Sequence, residues 1–206
     1  MLKVLLKYRN PVSIITKNNL ILRDTDILTE LNKYNLVHVS ISITTLNEDL
    51  RQLLEPRTVT AKGRLQVIKE LSDLTIPTRV MVAPIIPGLN SDEIPSIIKK
   101  AAEAGALGAG YTIVRLNGAI GEIFTDWIHK SFPDRAEKVL SLIAQCHGGT
   151  INDSRWGLRM HGDGEVAESI TNLFKLSVKK YFKEKDLRDF DLSHFRNDHN
   201  SQLSMF

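Results

Sequence analysis

The stretch LVHVSISITT, residues Leu36–Thr45, decides the fold class. Its residues alternate between apolar and polar, and successive side chains on a β-strand point to opposite faces. One face carries Val37, Val39, Ile41 and Ile43, and the other carries His38, Ser40, Ser42 and Thr44. A strand that is covered on both sides of an open parallel sheet is apolar throughout. The alternation therefore favours a sheet that curves around a polar interior, with helices covering its apolar face.

Three further runs rich in β-branched residues lie at 11–16, 78–86 and 110–116, and segments of helical period follow the strands. The helical segments are residues 24–34, 60–74, 91–104, 122–129 and 133–145. Repeated strand–helix–strand units imply parallel strands with helices packed outside. Four strands are too few to close a barrel, and an apparent helix at residues 1–9 precedes them. The pattern predicts an α/β fold, a partial (β/α) barrel fragment with about four parallel strands and outer helices.

The predicted division of the chain is a barrel portion, residues 1–164, followed by a helix and a tail. Residues 165–183 carry an apolar stripe, which predicts a C-terminal helix packed on the barrel. Residues 184–206 are rich in charge and have no sustained period. We expect them to form a linker or a strap along the surface and an extended tail.

The 206-residue chain has 42% hydrophobic and 25% charged residues, which predicts one folded domain. Its net charge of +3 permits a nucleic-acid partner without demanding one. The single cysteine, Cys146, excludes an internal disulfide, and Cys146 with His147 offers too few ligands for a metal site. No apolar run is long enough to span a bilayer, and the start of the chain does not resemble a secretory signal. We expect a cytoplasmic protein with no membrane partner.

Polar residues follow the ends of several predicted strands. Ser42 and Thr44 lie near the carboxyl end of the second strand, where (β/α) barrels gather their active sites. Strand parity predicts that Lys17 ends the first strand on the inner side, and that Arg115 ends the fourth strand beside Tyr111. We expect these groups to converge on one mouth and to contact a substrate. The alternative is that Lys17 and Arg115 are solvated residues at the edges of loops.

A glycine-rich stretch, GGTINDSRWGLRMHGDG at residues 148–164, interleaves cations with an indole. Arg155, Trp156 and Arg159 have the chemistry for stacking on a base and for binding phosphates. The composition predicts contact with a substrate or with a nucleic acid such as DNA. The alternative is that Trp156 and Leu158 only cap the barrel.

Five stretches run in order from about residue 10 to residue 164: NPVSIITKNNLILRD, VSISITTLNEDLRQLLEPRTVTAKGRLQVIKEL, VMVAPIIPGLN, AGYTIVRL and GGTINDSRWGLRMHGDGE. Together they resemble the radical S-adenosylmethionine superfamily, in its branch similar to spore photoproduct lyase and described as DNA repair photolyase-like. The resemblance implies a six-stranded partial (β/α) barrel, of which the strands found here are the last four.

The cluster-binding motif of that family, C-x-x-x-C-x-x-C, lies upstream of anything present in this sequence. Cysteine thiolates hold a [4Fe–4S] cluster, and the lone Cys146 cannot supply the three of that motif. The resemblance implies S-adenosylmethionine and a [4Fe–4S] cluster as cofactors of the complete enzyme. We expect a truncated chain that binds neither of them tightly.

The resemblance also implies roles for residues that are present. Lys17 matches a lysine that contacts the S-adenosylmethionine carboxylate, and Ser42 matches a polar residue near the cofactor ribose. The backbone of Ala83–Ile85 matches the edge that flanks the adenine. Arg64 either orients the cofactor or pins its own loop to Glu55, and both alternatives stay open.

The sequence ends on QLSMF, residues 202–206. This motif resembles the bacterial sliding-clamp-binding pentapeptide, in which glutamine and leucine precede serine or aspartate, leucine and phenylalanine, with Met205 in place of the second leucine. Gln202 supplies directional hydrogen bonds, while Leu203, Met205 and Phe206 can fill apolar pockets. The predicted partner is a DNA polymerase sliding clamp. The alternative is that Leu203 and Phe206 dock on the chain's own barrel.

The leading interpretation is the cofactor- and substrate-binding portion of a radical S-adenosylmethionine iron–sulfur enzyme of the DNA-repair lyase type, inactive as this chain alone. One alternative is a cluster-free half-barrel that binds or scaffolds without catalysis. Another is a (β/α)-type lyase or aldolase that uses Lys17 as a Schiff-base amine.

Overall fold

The computed structural model describes residues 1–152, 155–183 and 187–196. Within these ranges a four-stranded parallel sheet forms the centre, with its strands in the order of the chain. The strands are β1 Val12–Thr16, β2 Val37–Ser42, β3 Thr78–Ile85 and β4 Gly108–Ile113. Neighbouring parallel strands need crossover connections, and helices supply them here. The predicted α/β fold with four parallel strands is confirmed.

Helices pack against the aliphatic face of the sheet and beside its ends, and they follow the predicted segments to within a few residues, with one exception. Those in the described residues are α1 Leu2–Tyr8, α2 Thr25–Asn32, α3 Glu48–Leu54, α4 Ala61–Asp73, α5 Ile94–Glu103, α6 Ala119–Ser131, α7 Ala136–Gln145 and α8 Gly164–Tyr181. The exception is α3, which is too short to show a period. Its start is marked by Asn47, whose side chain accepts hydrogen bonds from the Asp49 and Leu50 amides at 2.9 and 3.1 Å. Across the three described ranges, no helix combines the length and hydropathy needed to cross a membrane.

The aliphatic face of β2 forms the core with the outer helices. Val39 and Ile41 share one buried cluster with Ile68 of α4 and Ile97 of α5, and none of the four is more than 1% exposed. Burial of each such side chain contributes about 1.5–3 kcal/mol relative to exposure. This face therefore fixes which residues of β2 point the other way.

The opposite face of β2 carries His38, Ser40 and Ser42, which are all buried although they are polar. The register places Ile15 of β1 beside Ser40, and Ser40 beside Arg79 of β3. Residues in register share a face, so this inner surface continues across three strands. The polar face predicted from the alternation in β2 is confirmed.

Strand β4 corrects one prediction. Its register pairs Tyr111 with Val82, which belongs to the aliphatic face. The Tyr111 hydroxyl lies 2.8 Å from Thr171 Oγ1, and its ring packs against Phe174 of α8 with centroids 4.4 Å apart. The expectation that Tyr111 faces the mouth is wrong, because Gly110 takes the inward position and α8 covers the outward one.

The segment 187–196 follows the surface after α8. The Phe190 ring stacks on His38 of β2 with centroids 4.1 Å apart. Further along, the Arg196 amide donates to the Tyr8 carbonyl oxygen at 2.9 Å. These ten residues thus contact the protein at the amino end of β2, away from the strand ends that carry the candidate site.

Candidate functional site

Lys17 directly follows β1 and reaches across the carboxyl ends of the two next strands. Its ammonium lies 2.9 Å from the Thr44 hydroxyl and 3.1 Å from the Ala83 carbonyl oxygen. It also forms an ion pair with Glu55. Parallel strands end at the same edge of a sheet, so three of them contribute to one cluster. Lys17 is therefore held by three protein groups at the strand ends, while its side chain remains 38% exposed.

Glu55 is the centre of this cluster and caps the carboxyl end of α3. One carboxylate oxygen lies 2.7 Å from the Thr44 hydroxyl, and the other lies 2.7 Å from Nη2 of Arg64. Burial by itself would raise the pKa of Glu55. The hydrogen bonds from Lys17, Thr44 and Arg64 outweigh burial and hold that pKa below its usual value. The carboxylate thus stays charged and joins both cations.

Arg64 lies on the first turn of α4 and is only 2% exposed. Its Nε donates to the Val59 carbonyl oxygen at 2.9 Å, and its Nη1 donates to the Ser42 carbonyl oxygen at 3.0 Å. The remaining nitrogen binds Glu55 and the Thr58 hydroxyl. Arg64 therefore pins the loop before α4 to Glu55 and to the end of β2, which is the second of the two alternatives that the sequence left open.

The other residues matched to the cofactor present mostly backbone. Ser42 ends β2 and is 4% exposed, and its carbonyl is taken by Arg64. The Ala83 carbonyl faces Lys17, whereas the Ile85 carbonyl accepts a hydrogen bond from the Val114 amide at 2.8 Å. The structure thus gathers Lys17, Ser42 and Ala83 at one edge and buries the Ile85 side chain in the core.

Sequence reasoning missed Asn90, which holds the turn after β3 against β2. Its side-chain oxygen accepts from the Ile86 amide at 2.7 Å, and its side-chain nitrogen donates to the Thr44 and Pro84 carbonyl oxygens at 2.8 and 3.1 Å. The residue is 2% exposed, so these bonds replace water completely. An asparagine after the Pro-Gly turn of VAPIIPGLN is the signal that could have indicated this role.

An open cavity of about 500 Å³ lies at the same edge of the sheet, between α3, the turn after β3 and the connection from α6 to α7. Its charged lining residues are Asp49, Asp92, Glu93 and Arg135. Glu93 already accepts hydrogen bonds from the Thr45 hydroxyl and the Leu46 amide at 2.5 and 2.6 Å. The volume lies within the range of small-molecule sites.

The residues predicted to contact substrate or nucleic acid lie at the end of β4 and in the loop before α8. Arg115 follows β4 and is half-buried. Arg155 forms a two-pronged ion pair with Asp163, both contacts being 2.8 Å. Trp156 is 86% exposed, so the alternative that it caps the barrel is wrong. The Arg159 guanidinium carbon lies 5.0 Å from the Trp156 ring centroid.

The residues of this chain do not fit an iron–sulfur cluster. Cys146 is the single cysteine of the sequence, and its side chain is fully buried at the end of α7. Burial raises the pKa of the Cys146 thiol to about 11, which disfavours the thiolate that a cluster requires. In the described part of the chain, no group of three or more His, Cys, Asp and Glu side chains could hold a metal ion.

The residues predicted to bind a sliding clamp, Gln202, Leu203, Met205 and Phe206, lie outside the described residues. Arg196 is the last residue that the structure describes.

Known proteins similar to this chain come from distant organisms. An uncharacterized protein of Mycobacterium tuberculosis is 28% identical over 134 residues, which are 64% of this chain and 39% of the relative. An uncharacterized protein of Acidianus two-tailed virus is 31% identical over 95 residues, 44% of this chain and 31% of the relative. One from Methanocaldococcus jannaschii is 31% identical over 81 residues, 39% of this chain and 30% of the relative. The chain thus spans two fifths or less of the length of these curated relatives.

The chain also matches a protein-family model over a range that includes the strand ends described above. The matched residues, 2–101, include β1, β2 and β3 and so contain Lys17, Glu55 and Arg64. Over these residues the chain matches the model of the Radical SAM superfamily.

Proposed function

We propose that this chain is the S-adenosylmethionine- and substrate-binding portion of a radical S-adenosylmethionine enzyme of the DNA-repair lyase type. The observation that carries the proposal is the placement of Lys17, whose side chain is 38% exposed and is held where three strands end, inside the residues that match the family. A cation fixed at this edge suits a small ligand that bears a carboxylate. The DNA-repair lyase part rests on the resemblance of the five sequence stretches.

Each residue of the cluster has a separate task in this proposal. Lys17 binds the ligand carboxylate, while Glu55 and Thr44 hold the lysine in position. The Ala83 backbone lines the edge beside the ligand, and the Ser42 side chain faces the inner surface next to it. The Arg64 side chain is only 3% exposed and bonds protein groups, so it acts as a positioning residue.

S-adenosylmethionine, when bound with a [4Fe–4S] cluster in a complete enzyme, supplies radical chemistry that abstracts hydrogen from a substrate. The thiolates for the cluster would come from outside this sequence, which has one cysteine. The residues of this chain bind and orient the ligand and cover it from water on the sheet side. The activity of the whole protein is therefore part of the proposal.

The geometry argues against the Schiff-base alternative. An amine nucleophile is activated by an apolar environment or by a neighbouring cation. Lys17 instead donates to a carboxylate, a hydroxyl and a carbonyl oxygen, which together use its three N–H donors. We expect no covalent trapping of a carbonyl substrate by borohydride at Lys17.

To test the site, the chain is titrated with S-adenosylmethionine, and binding is measured by calorimetry and by saturation-transfer NMR. Without the cluster iron that chelates the cofactor's amino acid end, we expect weak binding, roughly 0.1–1 mM. Lys17→Ala and Ser42→Ala should weaken it further. The matched control is Lys69→Ala, which removes an exposed lysine paired with Asp73 on α4.

Two outcomes would contradict this assignment. Tight binding that neither substitution changes would place the cofactor elsewhere on the chain. No detectable binding, together with an upstream reading frame that lacks C-x-x-x-C-x-x-C, would favour the cluster-free half-barrel protein.

We also propose that residues 202–206 recruit the protein to DNA by binding a polymerase sliding clamp. The support is the QLSMF pattern of the sequence. A labelled peptide of residues 196–206 should bind a bacterial clamp with roughly micromolar affinity, because a short motif buries little area. Leu203→Ala or Phe206→Ala should weaken binding about tenfold or more, and Ser204→Ala should be nearly neutral. If a known clamp ligand does not displace the peptide, the result would favour the alternative that the tail docks on the chain's own barrel.

A further inference from the structure

The glycine-rich loop, of which the structure describes residues 148–152 and 155–164, is fastened to the end of β4 at two points. The Ile113 amide donates to the Met160 carbonyl oxygen at 2.9 Å, and the Leu116 amide donates to the Ile151 carbonyl oxygen at 3.1 Å. These bonds satisfy backbone groups at the carboxyl end of β4, which is an edge strand of the sheet. The loop therefore stands at the same edge of the sheet as the Lys17 cluster.

The base of the loop is also closed. The Asp163 amide donates to the Cys146 carbonyl oxygen at 2.9 Å, and the Asp163 carboxylate binds Arg155 through two contacts of 2.8 Å. Gly162 has a φ of +71°, and a Cβ at this position would lie 2.6 Å from the Cys146 carbonyl oxygen. This position therefore requires glycine, and the turn it makes sets the direction in which the loop enters α8.

On this fastened loop stands a large aromatic side chain that the fold does not cover. Trp156 is 86% exposed, and the next residue, Gly157, has a φ of +84° that turns the chain back. The Arg159 guanidinium carbon lies 5.0 Å from the indole centroid. A cation in this position is attracted to the indole face. One face of Trp156 thus has a cation beside it, and the other faces solvent.

Arg115 and Arg159 differ from Arg155, which is paired with Asp163. Arg115 lies between Ile113 and Leu116, the two residues to which the loop is bonded, and is half-buried. Among residues 1–152, 155–183 and 187–196, neither Arg115 nor Arg159 forms an ion pair with a carboxylate. In the Lys17 cluster, by contrast, both cations contact Glu55.

We propose that Trp156, Arg159 and Arg115 form a binding platform for single-stranded DNA. An unpaired base stacks on the open face of the Trp156 indole, and the two guanidinium groups receive the neighbouring phosphates. The platform follows β4, whereas the ammonium of Lys17 lies at the ends of β2 and β3. The platform is argued from the loop alone and does not depend on cofactor binding at Lys17.

The experiment measures binding of fluorescein-labelled oligothymidine to the whole chain by anisotropy at several salt concentrations. Stacking of one base on an aromatic side chain predicts that Trp156→Ala weakens binding about fivefold to hundredfold, with Trp156→Phe in between. Arg115→Gln and Arg159→Gln should each weaken binding and lower the salt slope by about one, since each removes a phosphate contact. In a Trp127→Phe background, the remaining indole fluorescence should be quenched as DNA binds.

Matched controls lie on the exposed side of α8. Leu176→Ala removes another large apolar side chain, which is 66% exposed, and Lys175→Gln removes an exposed positive charge. Both should leave DNA affinity within twofold of wild type. Circular dichroism of the variants at Trp156, Arg115, Arg159, Leu176 and Lys175 should match wild type, since none of these side chains is part of the buried core.

Several results would overturn the proposal. One is the absence of binding at 50 mM salt with up to about 1 mM protein, because even nonspecific DNA binding is detectable at such concentrations. Another is equal DNA affinity of wild type and Trp156→Ala. Tighter binding of oligouridine than of oligothymidine would assign the platform to RNA. A dimer in sedimentation that Trp156→Ala abolishes would assign it to a second copy of the chain. Because the titration contains no S-adenosylmethionine, its failure is distinct from failure of the function proposed above.

Discussion

Two groups of cations at one edge of the sheet show opposite arrangements. In the Lys17 cluster, the Arg64 side chain is 3% exposed and the Glu55 carboxylate contacts both cations. In the glycine-rich loop, Trp156 is 86% exposed and Arg159 has an indole beside it in place of a carboxylate. A buried charge must find a partner inside the protein, because its desolvation costs several kcal/mol. An exposed charge remains hydrated and available. Substitutions in the cluster should therefore change stability, and those at the loop tip should change binding.

The largest effect is expected from Glu55→Ala. The substitution leaves Arg64 buried without its carboxylate and removes the acceptor that holds Lys17. Breaking a buried ion pair in this way costs about 3–5 kcal/mol, and we expect the free energy of unfolding in urea to fall by that amount. The control is Asp73→Ala, which breaks the exposed pair with Lys69 and should cost less than about 1 kcal/mol. Equal losses in the two variants would show that the cluster does not contribute as a buried unit.

Acidification tests the same carboxylate without a substitution. The folded state lowers the pKa of Glu55, so its contribution to stability is complete above the unfolded pKa and is lost as the pH falls through the folded pKa. We expect the urea midpoint to fall steeply below about pH 5, and the slope there to be smaller in Glu55→Gln. Burial lowers the pKa of His38. The contribution of its neutral form to stability is therefore lost at a higher pH than that of Glu55, beginning as the pH falls below about 6.5. Comparison with His38→Gln separates the two windows. An unchanged slope in Glu55→Gln would mean that Glu55 is not the group that titrates.

A smaller effect is expected at the base of the loop, where Cys146 is fully buried. Cys146→Ser places a hydroxyl in an apolar environment and should cost about 1–3 kcal/mol. Cys146→Ala is the control and should cost less, because it adds no polar group. The pKa of about 11 also predicts that Ellman's reagent reacts with the folded protein at pH 8 much more slowly than with the protein in urea. Equally fast reaction in the two states would show that the loop base opens readily.

The sequence predicted the strands because the alternation in β2 reflects one simple cause, a core face and a polar face. It predicted Lys17 at the strand-end edge for the same reason. The prediction for Tyr111 failed because its neighbour Gly110 has no side chain. The pattern of apolar and polar residues therefore does not show which face of β4 each of the two residues occupies. The hydrogen-bond partners of Arg64 could not be predicted either, because the fold, and not a regular sequence spacing, brings Ser42 and Glu55 next to it.

The loop was harder to predict than the cluster. Its composition indicated a binding surface, but the same residues were consistent with a cap on the barrel. Exposure of Trp156 decided between the two, and exposure depends on the backbone bonds that fasten Met160 and Ile151 to the end of β4. Such bonds involve no side chain, so the sequence carries no direct sign of them.

The smallest effect on stability is expected from Trp156→Ala, and this prediction tests the comparison most sharply. Burial of an aromatic side chain normally makes its loss costly, about 3–5 kcal/mol in a core. Trp156 is 86% exposed, so its removal should change the free energy of unfolding by less than about 0.5 kcal/mol. Phe124→Ala, which removes an 8% exposed aromatic from α6, is the contrast and should approach the core value. The measurement is urea unfolding followed by circular dichroism, which does not depend on the lost fluorophore. A loss of 2 kcal/mol or more at Trp156 would mean that the indole packs against the protein in solution, and the loop would then be a cap of the barrel and not a surface held open for DNA.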